Sequence, residues 1–348
     1  MKDQIKVGVA SFGMSGKVFH CPLLASNDGF KISKILERTH SRSADTYPYA
    51  VISRKYEELI DDPEIELIIV NTPDHLHVEM ATAALEKGKH VIVEKPFTIA
   101  SEDGQKLIDL AKAKGKMLSV FQNRRWDGDF LTVKKVIENK LVGRLVEFES
   151  HYDRYRNFIQ ENTWKEKKGA GTGILYNLGS HMIDQALVLF GMPTAVTADL
   201  RITRTGGKVI DNYEIRMDYD NLKVLLKSGY LVREAGPRYT CHGTLGSFTK
   251  YGIDPQEDML KAGFLPVGDD WGTENEEDFG WLNTEVGGLH IEGQIETIPG
   301  CYQDYYQNIY EVIRENKPLL VKPEESLDVI KIIELAQESH QQRKTITL

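Results

Sequence analysis

The stretch HVIVEKPFT, residues 90–98, places a carboxylate, an ammonium and a proline directly after an apolar run. His90–Val93 predicts a buried strand, so Glu94, Lys95 and Pro96 follow its end. In open α/β sheets, ligands bind beyond the carboxyl ends of the strands. Partial burial lowers the pKa of a lysine, and such a lysine can hydrogen-bond a substrate hydroxyl and help its proton leave. The alternative is a solvated Glu-Lys pair that ends the strand.

The start of the chain carries a second candidate site, a variant of the dinucleotide-binding fingerprint. The apolar run Ile5–Ala10 predicts a strand, and Lys17–Ser26 predicts a helix. The fingerprint G-x-G-x-x-G binds a pyrophosphate between such a strand and helix. Its six positions here are Ser11, Phe12, Gly13, Met14, Ser15 and Gly16. Because serine replaces the first glycine, an ordinary strand–turn–helix is the alternative.

The choice between NAD and NADP depends on the residues that follow the second predicted strand. An acidic residue about 20 positions after the fingerprint binds the ribose hydroxyls of NAD in such folds. Glu37 lies at the end of the strand predicted at Ile32–Leu36. Arg38 follows it and can pair with the 2′-phosphate of NADP. Glu37 therefore favours NAD, Arg38 leaves NADP open, and an exposed Glu-Arg turn is the alternative to both.

The order of the predicted elements indicates two domains, at residues 1–122 and 123–348. In the first, short apolar runs alternate with helical patterns, which predicts a parallel sheet with helices on both faces. In the second, the runs between residues 195 and 250 are separated only by turns, which predicts a mainly antiparallel sheet. Asp254–Trp281 is predicted to be an irregular excursion. The last helix is predicted at Glu324–Gln342, and the sequence leaves open whether it packs on the first domain.

Composition and charge exclude several classes of protein. Hydrophobic residues make up 41% and charged residues 27%, as in a globular protein. The net charge of -9 argues against nucleic acid or an anionic membrane as the main partner. The chain has neither a signal-peptide pattern nor a membrane-spanning apolar run, and its three cysteines are scattered. We therefore expect a cytoplasmic protein without disulfides.

Five stretches together resemble the Gfo/Idh/MocA oxidoreductases (glucose–fructose oxidoreductase, inositol dehydrogenase and rhizopine catabolism), and most closely the scyllo-inositol 2-dehydrogenase branch. They are FGMSGKVFH, NTPDHLH, VEKPF, NRRWDGDF and LYNLGSHMIDQ, in the order and spacing of the family. The resemblance implies an α/β Rossmann domain followed by an α+β domain on an open, mixed and mainly antiparallel β-sheet. It also implies hydride transfer between NAD or NADP and a ring hydroxyl of a cyclitol or sugar.

The resemblance assigns the proton chemistry to two residues. Lys95 matches the catalytic lysine of the family and His181 its general base, and a histidine suits proton exchange with a hydroxyl near neutral pH. Asp184 lies one helical turn after His181 and could orient its imidazole. Asn177 replaces the usual aspartate of the motif, and an amide cannot take a proton. Asn177 therefore either only positions the substrate or marks altered chemistry. Without the resemblance, His181 would be interpreted as a structural histidine.

Other site residues follow from the resemblance and from their places at predicted strand ends. The further expected cofactor-binding residues are Asn71, Thr72, Pro73, His77, Glu94, Lys95, Pro96, Trp164 and Lys165. The expected substrate-binding residues are Arg124, Trp126, Tyr152, Arg154, Asn177 and Tyr239. Packing or simple surface exposure is the alternative for the less specific positions among them. No metal is expected, because the histidines lack metal-binding spacing.

Assembly and activity each leave alternatives. The alternating pattern of Tyr213–Val232 predicts an apolar sheet face that needs cover, and relatives pack this sheet face to face. We therefore expect a homodimer or homotetramer. Besides the cyclitol dehydrogenase, the sequence allows a reductase of a keto-sugar or bilin-like substrate, or a non-catalytic NAD(P)-binding regulator. Lys95 and His181 together favour an enzyme, whereas Ser11 and Asn177 depart from the family pattern.

Overall fold

The computed structural model describes residues 3–161 and 163–348, and the chain divides into two compact units. The first unit comprises the chain up to Trp126 together with residues 255–271 and 301–327. The second comprises residues 127–254, 272–300 and 328–348. This division differs from the predicted single cut at residue 122, because two later segments belong with the N-terminal region. We describe each unit by itself.

The first unit is built on a parallel sheet with the strand order β3-β2-β1-β4-β5-β6. This order is that of a doubly wound Rossmann fold, as predicted. The central strands consist almost wholly of buried apolar residues, as expected for a sheet covered on both faces. The strands are β1 (Ile5–Val9), β2 (Phe30–Leu36), β3 (Val51–Ser53), β4 (Leu67–Val70), β5 (His90–Val93) and β6 (Leu118–Val120).

Helices alternate with the strands of the first unit and are fewer in the second. In chain order they are α1 (Cys21–Ala25), α2 (Ser43–Thr46), α3 (Glu57–Ile60), α4 (His77–Glu86), α5 (Ser101–Lys114), α6 (Gly128–Glu138), α7 (Ser180–Phe190), α8 (Gln256–Lys261), α9 (Gln303–Glu315) and α10 (Pro323–Gln342). Two π-helical turns, Gly16–His20 and Leu175–Gly179, lead into α1 and α7. Gly115 closes α5 in the left-handed region at φ 62°, which glycine adopts readily. The N-cap of α5 is Ala100.

Helix α9 completes the core of the first unit with a row of tyrosines. The ring of Tyr305 lies 5.0 Å from that of Phe121, and the ring of Tyr306 lies 5.6 Å from that of Phe30, both edge to face. Such aromatic pairs add to the stabilisation from apolar burial. The penultimate helix therefore belongs to the first unit. Helix α10 begins in the first unit and continues in the second from Asp328.

The second unit is built on a mixed sheet with the order β14-β13-β12-β11-β7-β10-β9-β8-β15. Strands β7 and β10 pair in parallel, and the other pairs are antiparallel, as expected. The hairpin β13–β14 was not predicted, and the helix α8 lies within the stretch that was expected to be irregular. The strands are β7 (Leu145–His151), β8 (Ala195–Arg201), β9 (Asn212–Tyr219), β10 (Leu222–Gly229), β11 (Tyr239–Gly243), β12 (Gly246–Lys250), β13 (Gly280–Val286), β14 (Leu289–Ile295) and β15 (Ile346–Thr347).

The two faces of this sheet differ in polarity. The apolar side chains of β9 and β10 are buried, and α7 packs on them: the hydroxyl of Tyr213, for example, lies 2.9 Å from Sδ of Met182. The opposite face carries ion pairs such as Lys227–Glu214, at 3.2 Å. The apolar pattern of Tyr213–Val232 is therefore covered within the chain. No second subunit is needed to cover this face, so the argument given for a homodimer or homotetramer was wrong. The assembly itself stays a prediction.

Neither a membrane span nor a metal-binding cluster occurs in the described part of the chain. No helix within residues 3–161 and 163–348 combines the length and apolar character needed to cross a bilayer. Over the same residues, no three potential histidine, cysteine or carboxylate ligands form a metal-binding group.

Candidate active site

The turn after β1 has the shape of a phosphate-binding loop. The amide of Gly13 donates to Oγ of Ser11 at 3.1 Å, so the serine closes the turn with its side chain in place of the usual glycine. A Cβ on Gly16 would lie 2.1 Å from the carbonyl oxygen of Ser11, so only glycine fits there. Gly13 and Met14 are exposed at the top of the turn. These features fit the backbone approach of a pyrophosphate at the start of a helix.

The ends of β4, β5 and β6 form a second part of the same sheet edge. Val70, Val93 and Val120 are in register, so Thr72, Lys95 and Gln122 occupy equivalent places after the three strands. Thr72 and Gln122 place buried side-chain oxygens there that have no hydrogen-bond partner within the described residues. The same is true of Oδ1 of Asn71, whose Nδ2 donates to the carbonyl of Ser11 at 2.8 Å. Buried acceptors without partners fit a ligand that brings donors, as the amide and hydroxyl groups of NAD(P) do.

Gln122 was not among the residues predicted for the site. The signal that could have found it is its position two residues after β6, equivalent to that of Lys95 after β5. Ser11, Gly16, Asn71, Thr72 and Lys95, by contrast, were predicted, and the first unit brings all of them to the carboxyl edge of its sheet.

Glu94 lies buried beneath the turn that carries Lys95. The amide of Lys95 donates to Oε2 of Glu94 at 2.9 Å, and Oε1 contacts Nε2 of His20 at 3.0 Å. Burial disfavours the carboxylate, but the hydrogen bond from His20 and the charges of Lys95 and His77 outweigh it, so the pKa of Glu94 is lowered. Glu94 is therefore ionised and holds the backbone of Lys95. The Lys95–Pro96 peptide bond is cis.

His77 supports two turns of this edge. Its Nδ1 lies 3.0 Å from the carbonyl oxygen of Pro96, and its Nε2 lies 3.0 Å from that of Thr72. Only 1% of the residue is exposed. His77 thus connects the turn after β4 with the turn after β5, while the neighbouring Pro73 begins a 3₁₀ turn. Backbone carbonyls contact both ring nitrogens of His77, and its expected contact with the cofactor stays a prediction.

Glu37 does not project from the end of β2 as a free carboxylate. Its oxygens accept hydrogen bonds from the amide of Arg42 at 3.0 Å and from the amide and hydroxyl of Ser43 at 2.8 and 2.6 Å. Burial raises the pKa of Glu37, but these hydrogen bonds outweigh it and lower the pKa overall. The carboxylate of Glu37 therefore contacts its own loop, and its contact with ribose hydroxyls stays a prediction. Arg38 beside it is exposed.

In the second unit, helix α7 carries the predicted histidine motif. His181 and Asp184 are both buried on its first turns, and Asn177 lies in the π-helical turn that precedes it. Gln185, one turn after His181, accepts hydrogen bonds at Oε1 from the hydroxyl of Tyr239 at 2.8 Å and from Nη2 of Arg238 at 3.2 Å. These two donors from β11 and the residue before it anchor the helix. Arg238 and Gln185 were not predicted as parts of the site.

Several predicted substrate-binding side chains pack inside their own units. Tyr239 is fully buried beneath α7, and the guanidinium of Arg238 lies 4.8 Å above the ring of Tyr152. In the first unit, the ring of Trp126 packs 5.8 Å from Tyr305, and Arg124 pairs with Glu257. Tyr239 and Trp126 thus support the fold, and a contact of either residue with substrate stays a prediction.

The remaining predicted residues lie near the surface of the second unit. The guanidinium of Arg154 lies 5.3 Å above the ring of Tyr152. Trp164 and Lys165 share the 3₁₀ turn Trp164–Glu166, in which Thr163 accepts the amide of Lys165 at 3.3 Å. Lys165 is exposed and Trp164 is half-buried. Both side chains remain accessible for binding.

Comparisons with known proteins agree with this geometry. Residues 5–122 match the NAD-binding Rossmann fold of the Gfo/Idh/MocA oxidoreductase family, and residues 134–348 match the C-terminal alpha/beta domain of that family. The chain is 46% identical over 346 residues to scyllo-inositol 2-dehydrogenase (NADP(+)) IolW of Bacillus subtilis. This alignment covers 99% of this chain and 96% of the relative.

Solved structures show the same architecture. The oxidoreductase yvaA from Bacillus subtilis superposes with a TM-score of 0.97 at 45% identity, covering 100% of this chain and 99% of that chain. An oxidoreductase structure from Bacteroides fragilis superposes with a TM-score of 0.92 at 51% identity, covering 99% and 100%. The protein is an NAD(P)-dependent dehydrogenase acting on CH–OH groups, and the chain belongs to the Gfo/Idh/MocA family of oxidoreductases.

Proposed function

We propose that the protein interconverts a ring hydroxyl and a ketone of a cyclitol, with scyllo-inositol as the first substrate to test. The observation that carries this proposal is the 46% identity to a scyllo-inositol 2-dehydrogenase over nearly the whole chain. The turn after β5 supports the chemistry, because it holds Lys95 between the unpartnered oxygens of Thr72 and Gln122 at the carboxyl edge of the sheet.

Lys95 is proposed to manage the proton of the reacting hydroxyl. When bound, the cofactor supplies the hydride acceptor or donor. The ammonium or amine of Lys95 would hydrogen-bond the substrate oxygen and exchange its proton as the carbon–oxygen bond changes order. Ionised Glu94, which holds the Lys95 backbone, places a negative charge behind this lysine. His181 on α7 would be the second proton carrier, with Asn177 positioning the substrate.

NADP is proposed as the preferred cofactor. The carboxylate of Glu37 is occupied by the amides of Arg42 and Ser43, so it does not compete for the ribose. Arg38 and Arg42 are exposed in the same loop and would attract a 2′-phosphate. Asn71, Thr72 and Gln122 would bind polar groups of the cofactor through their unpartnered oxygens.

The test measures NADPH formation with a panel of inositols and sugars, each with NAD and with NADP. Lys95→Met should keep cofactor affinity, measured by NADPH fluorescence, and lower kcat by about 100-fold or more, as expected for the loss of a positioned proton-transfer group. Lys87→Met is the matched control, since Lys87 is an exposed lysine of the same unit paired with Asp61. Wild-type turnover in Lys95→Met would contradict the proposed role of Lys95.

The alternatives give different results when keto-sugars and a bilin are added to the panel and NADPH oxidation is followed as well. Binding of NADPH without turnover on any polyol would favour a non-catalytic regulator. Turnover only in the reducing direction, with keto-sugars or a bilin, would favour a reductase. The small-molecule substrate, the cytoplasmic location and the homodimer or homotetramer remain proposals. Light scattering at micromolar concentration would test the last of these, and a monomer mass would contradict it.

A further inference from the structure

Three side chains behind Lys95 form a continuous hydrogen-bonded row inside the first unit. The hydroxyl of Tyr306 lies 2.6 Å from Nδ1 of His20, and Nε2 of His20 lies 3.0 Å from Oε1 of Glu94. His20 and Tyr306 are fully buried. The other carboxylate oxygen of Glu94 accepts the amide of Lys95. The row therefore runs from α9, through the helix after the phosphate-binding loop, to the turn of Lys95.

The protons of this row have one consistent arrangement. The hydroxyl of Tyr306 has no acceptor within the described residues other than Nδ1 of His20, so a buried proton would lack a partner if Tyr306 only accepted. Burial raises the pKa of Tyr306 well above its ordinary value, so the hydroxyl keeps its proton. Tyr306 thus donates to Nδ1 of His20, and the N–H at Nε2 of His20 donates to Glu94. Both hydrogen bonds point toward the carboxylate.

Glu94 needs such donors because it is buried. The titratable groups that face it are His20, Lys95, His77, Tyr305 and Tyr306, from four segments of the first unit. A buried carboxylate that loses its hydrogen-bond donors takes up a proton instead. A protonated Glu94 would no longer place a negative charge behind Lys95.

We propose that Tyr306 and His20 are positioning residues, which keep Glu94 ionised and oriented so that Lys95 is held and charged for proton exchange. This inference rests on the proposed function of Lys95. Neither residue touches the reacting atoms, and both act through Glu94. Tyr306 contributes by fixing the tautomer of His20.

The chain offers a matched control one residue away. Tyr305 is also a fully buried tyrosine of α9, but its hydroxyl lies 3.1 Å from Oγ of Ser119 and makes no contact with His20. Tyr306→Phe and Tyr305→Phe each remove one buried hydroxyl. We expect kcat to be about 10-fold lower in Tyr306→Phe and unchanged in Tyr305→Phe. This loss is smaller than that expected for removing Lys95, the proton-transfer group itself. The affinity for NADPH and the melting temperature should be alike in both variants.

The pH profile separates positioning from a general structural role. Without the hydrogen bonds that Tyr306 and His20 supply, the pKa of Glu94 is higher. The ionisation of Glu94 should then contribute to the acid limb of the kcat/KM profile and move that limb to higher pH. We expect this shift in Tyr306→Phe but not in Tyr305→Phe. His20→Gln keeps an N–H for Glu94 and should retain more activity than His20→Leu. If Tyr306→Phe does not fold, this His20 pair carries the test. Equal kcat and equal acid limbs within either matched pair would overturn the inference.

A double variant shows whether the effect passes through Lys95. In the Lys95→Met background, Tyr306→Phe should lower the residual kcat by less than about 2-fold, because residues that act as one unit are not additive. A further loss of about 10-fold would show that the row acts elsewhere and would overturn the inference alone. Unchanged kcat in Lys95→Met itself would overturn the proposed function of Lys95 together with this inference.

Discussion

Arg204 and Glu166 form a bidentate ion pair in the second unit, with Nη1–Oε1 at 3.0 Å and Nη2–Oε2 at 2.8 Å. Only 2% of the Arg204 side chain and 14% of the Glu166 side chain are exposed. Nε of Arg204 also binds Asp211 at 2.9 Å. Glu166 closes the 3₁₀ turn that carries Trp164 and Lys165, so this pair ties that turn to the start of β9.

Arg204→Met should therefore destabilise the protein strongly. Removing one partner of a buried ion pair leaves uncompensated charge, which typically costs about 3–5 kcal/mol of the free energy of unfolding. The control is Arg201→Met, which removes an arginine paired with Asp199 on the exposed surface. Urea denaturation should show a much smaller loss for the control. Equal losses in the two variants would contradict the view that Arg204 anchors the Trp164 turn.

The cofactor prediction follows from the loop after β2. Arg38→Ala should lower kcat/KM for NADP while leaving that for NAD nearly unchanged, because only NADP carries the 2′-phosphate. Lys31→Ala is the control: Lys31 is an exposed cation at the other end of β2. Steady-state kinetics with both cofactors measures the ratio. An unchanged ratio in Arg38→Ala would show that another group holds the phosphate.

Much of the first unit could be predicted because its local signals agree with its tertiary structure. The apolar run His90–Val93 is the strand β5 with the predicted bounds. The hairpin β13–β14 was not predicted, although Leu289, Ile291 and Ile295 of its outer strand alternate with polar residues, and that strand is largely exposed. Long-range pairing with β12 decides its structure.

The candidate site was predictable where motifs carry it and unpredictable where tertiary contacts do. Lys95 and Gly16 follow strands in recognisable motifs. The hydrogen bonds from Ser43 to Glu37 depend on the conformation of the loop after β2, which the spacing of residues in the sequence does not predict. The contact between His20 and Tyr306 joins residues 286 positions apart, so only the folded chain reveals it.

His90 makes the stability of the first unit depend on pH. Its Nδ1 accepts the amide of Met117 at 2.9 Å, and burial, with the nearby charge of Lys116, lowers its pKa from 6.5 to about 4. Between pH 6.5 and 4, His90 is therefore protonated in the unfolded chain but not in the folded chain. The free energy of unfolding should fall as the pH drops through this range. A change of this size corresponds to at most about 3 kcal/mol.

The test for His90 compares two substitutions by asparagine. His90→Asn keeps an acceptor for Met117 and cannot be protonated, so its stability should fall less between pH 6.5 and 4 than that of the wild type. His40→Asn changes an exposed histidine and should keep the wild-type dependence. Thermal melting across this pH range measures both. Parallel curves for all three proteins would show that His90 does not titrate in this way.

The amide at residue 177 should simplify the pH dependence of turnover. Asn177 lies in the π-helical turn that runs into α7, four residues before His181. Because the amide does not titrate, the acid limb of kcat/KM in the wild type should show one ionisation, in the histidine range. Two ionisations there would mean that another group near the site takes up a proton.

Asn177→Asp should move this acid limb to higher pH, because a neighbouring carboxylate favours the protonated imidazole of His181. Asn221→Asp, in the exposed turn between β9 and β10, adds the same charge away from the motif and should leave the limb in place. Higher kcat in Asn177→Asp would indicate that the amide weakens a proton relay, whereas lower kcat would indicate that the amide binds substrate. An unmoved limb would show that residue 177 does not interact with His181, and the assignment of the histidine motif would then be wrong at that position.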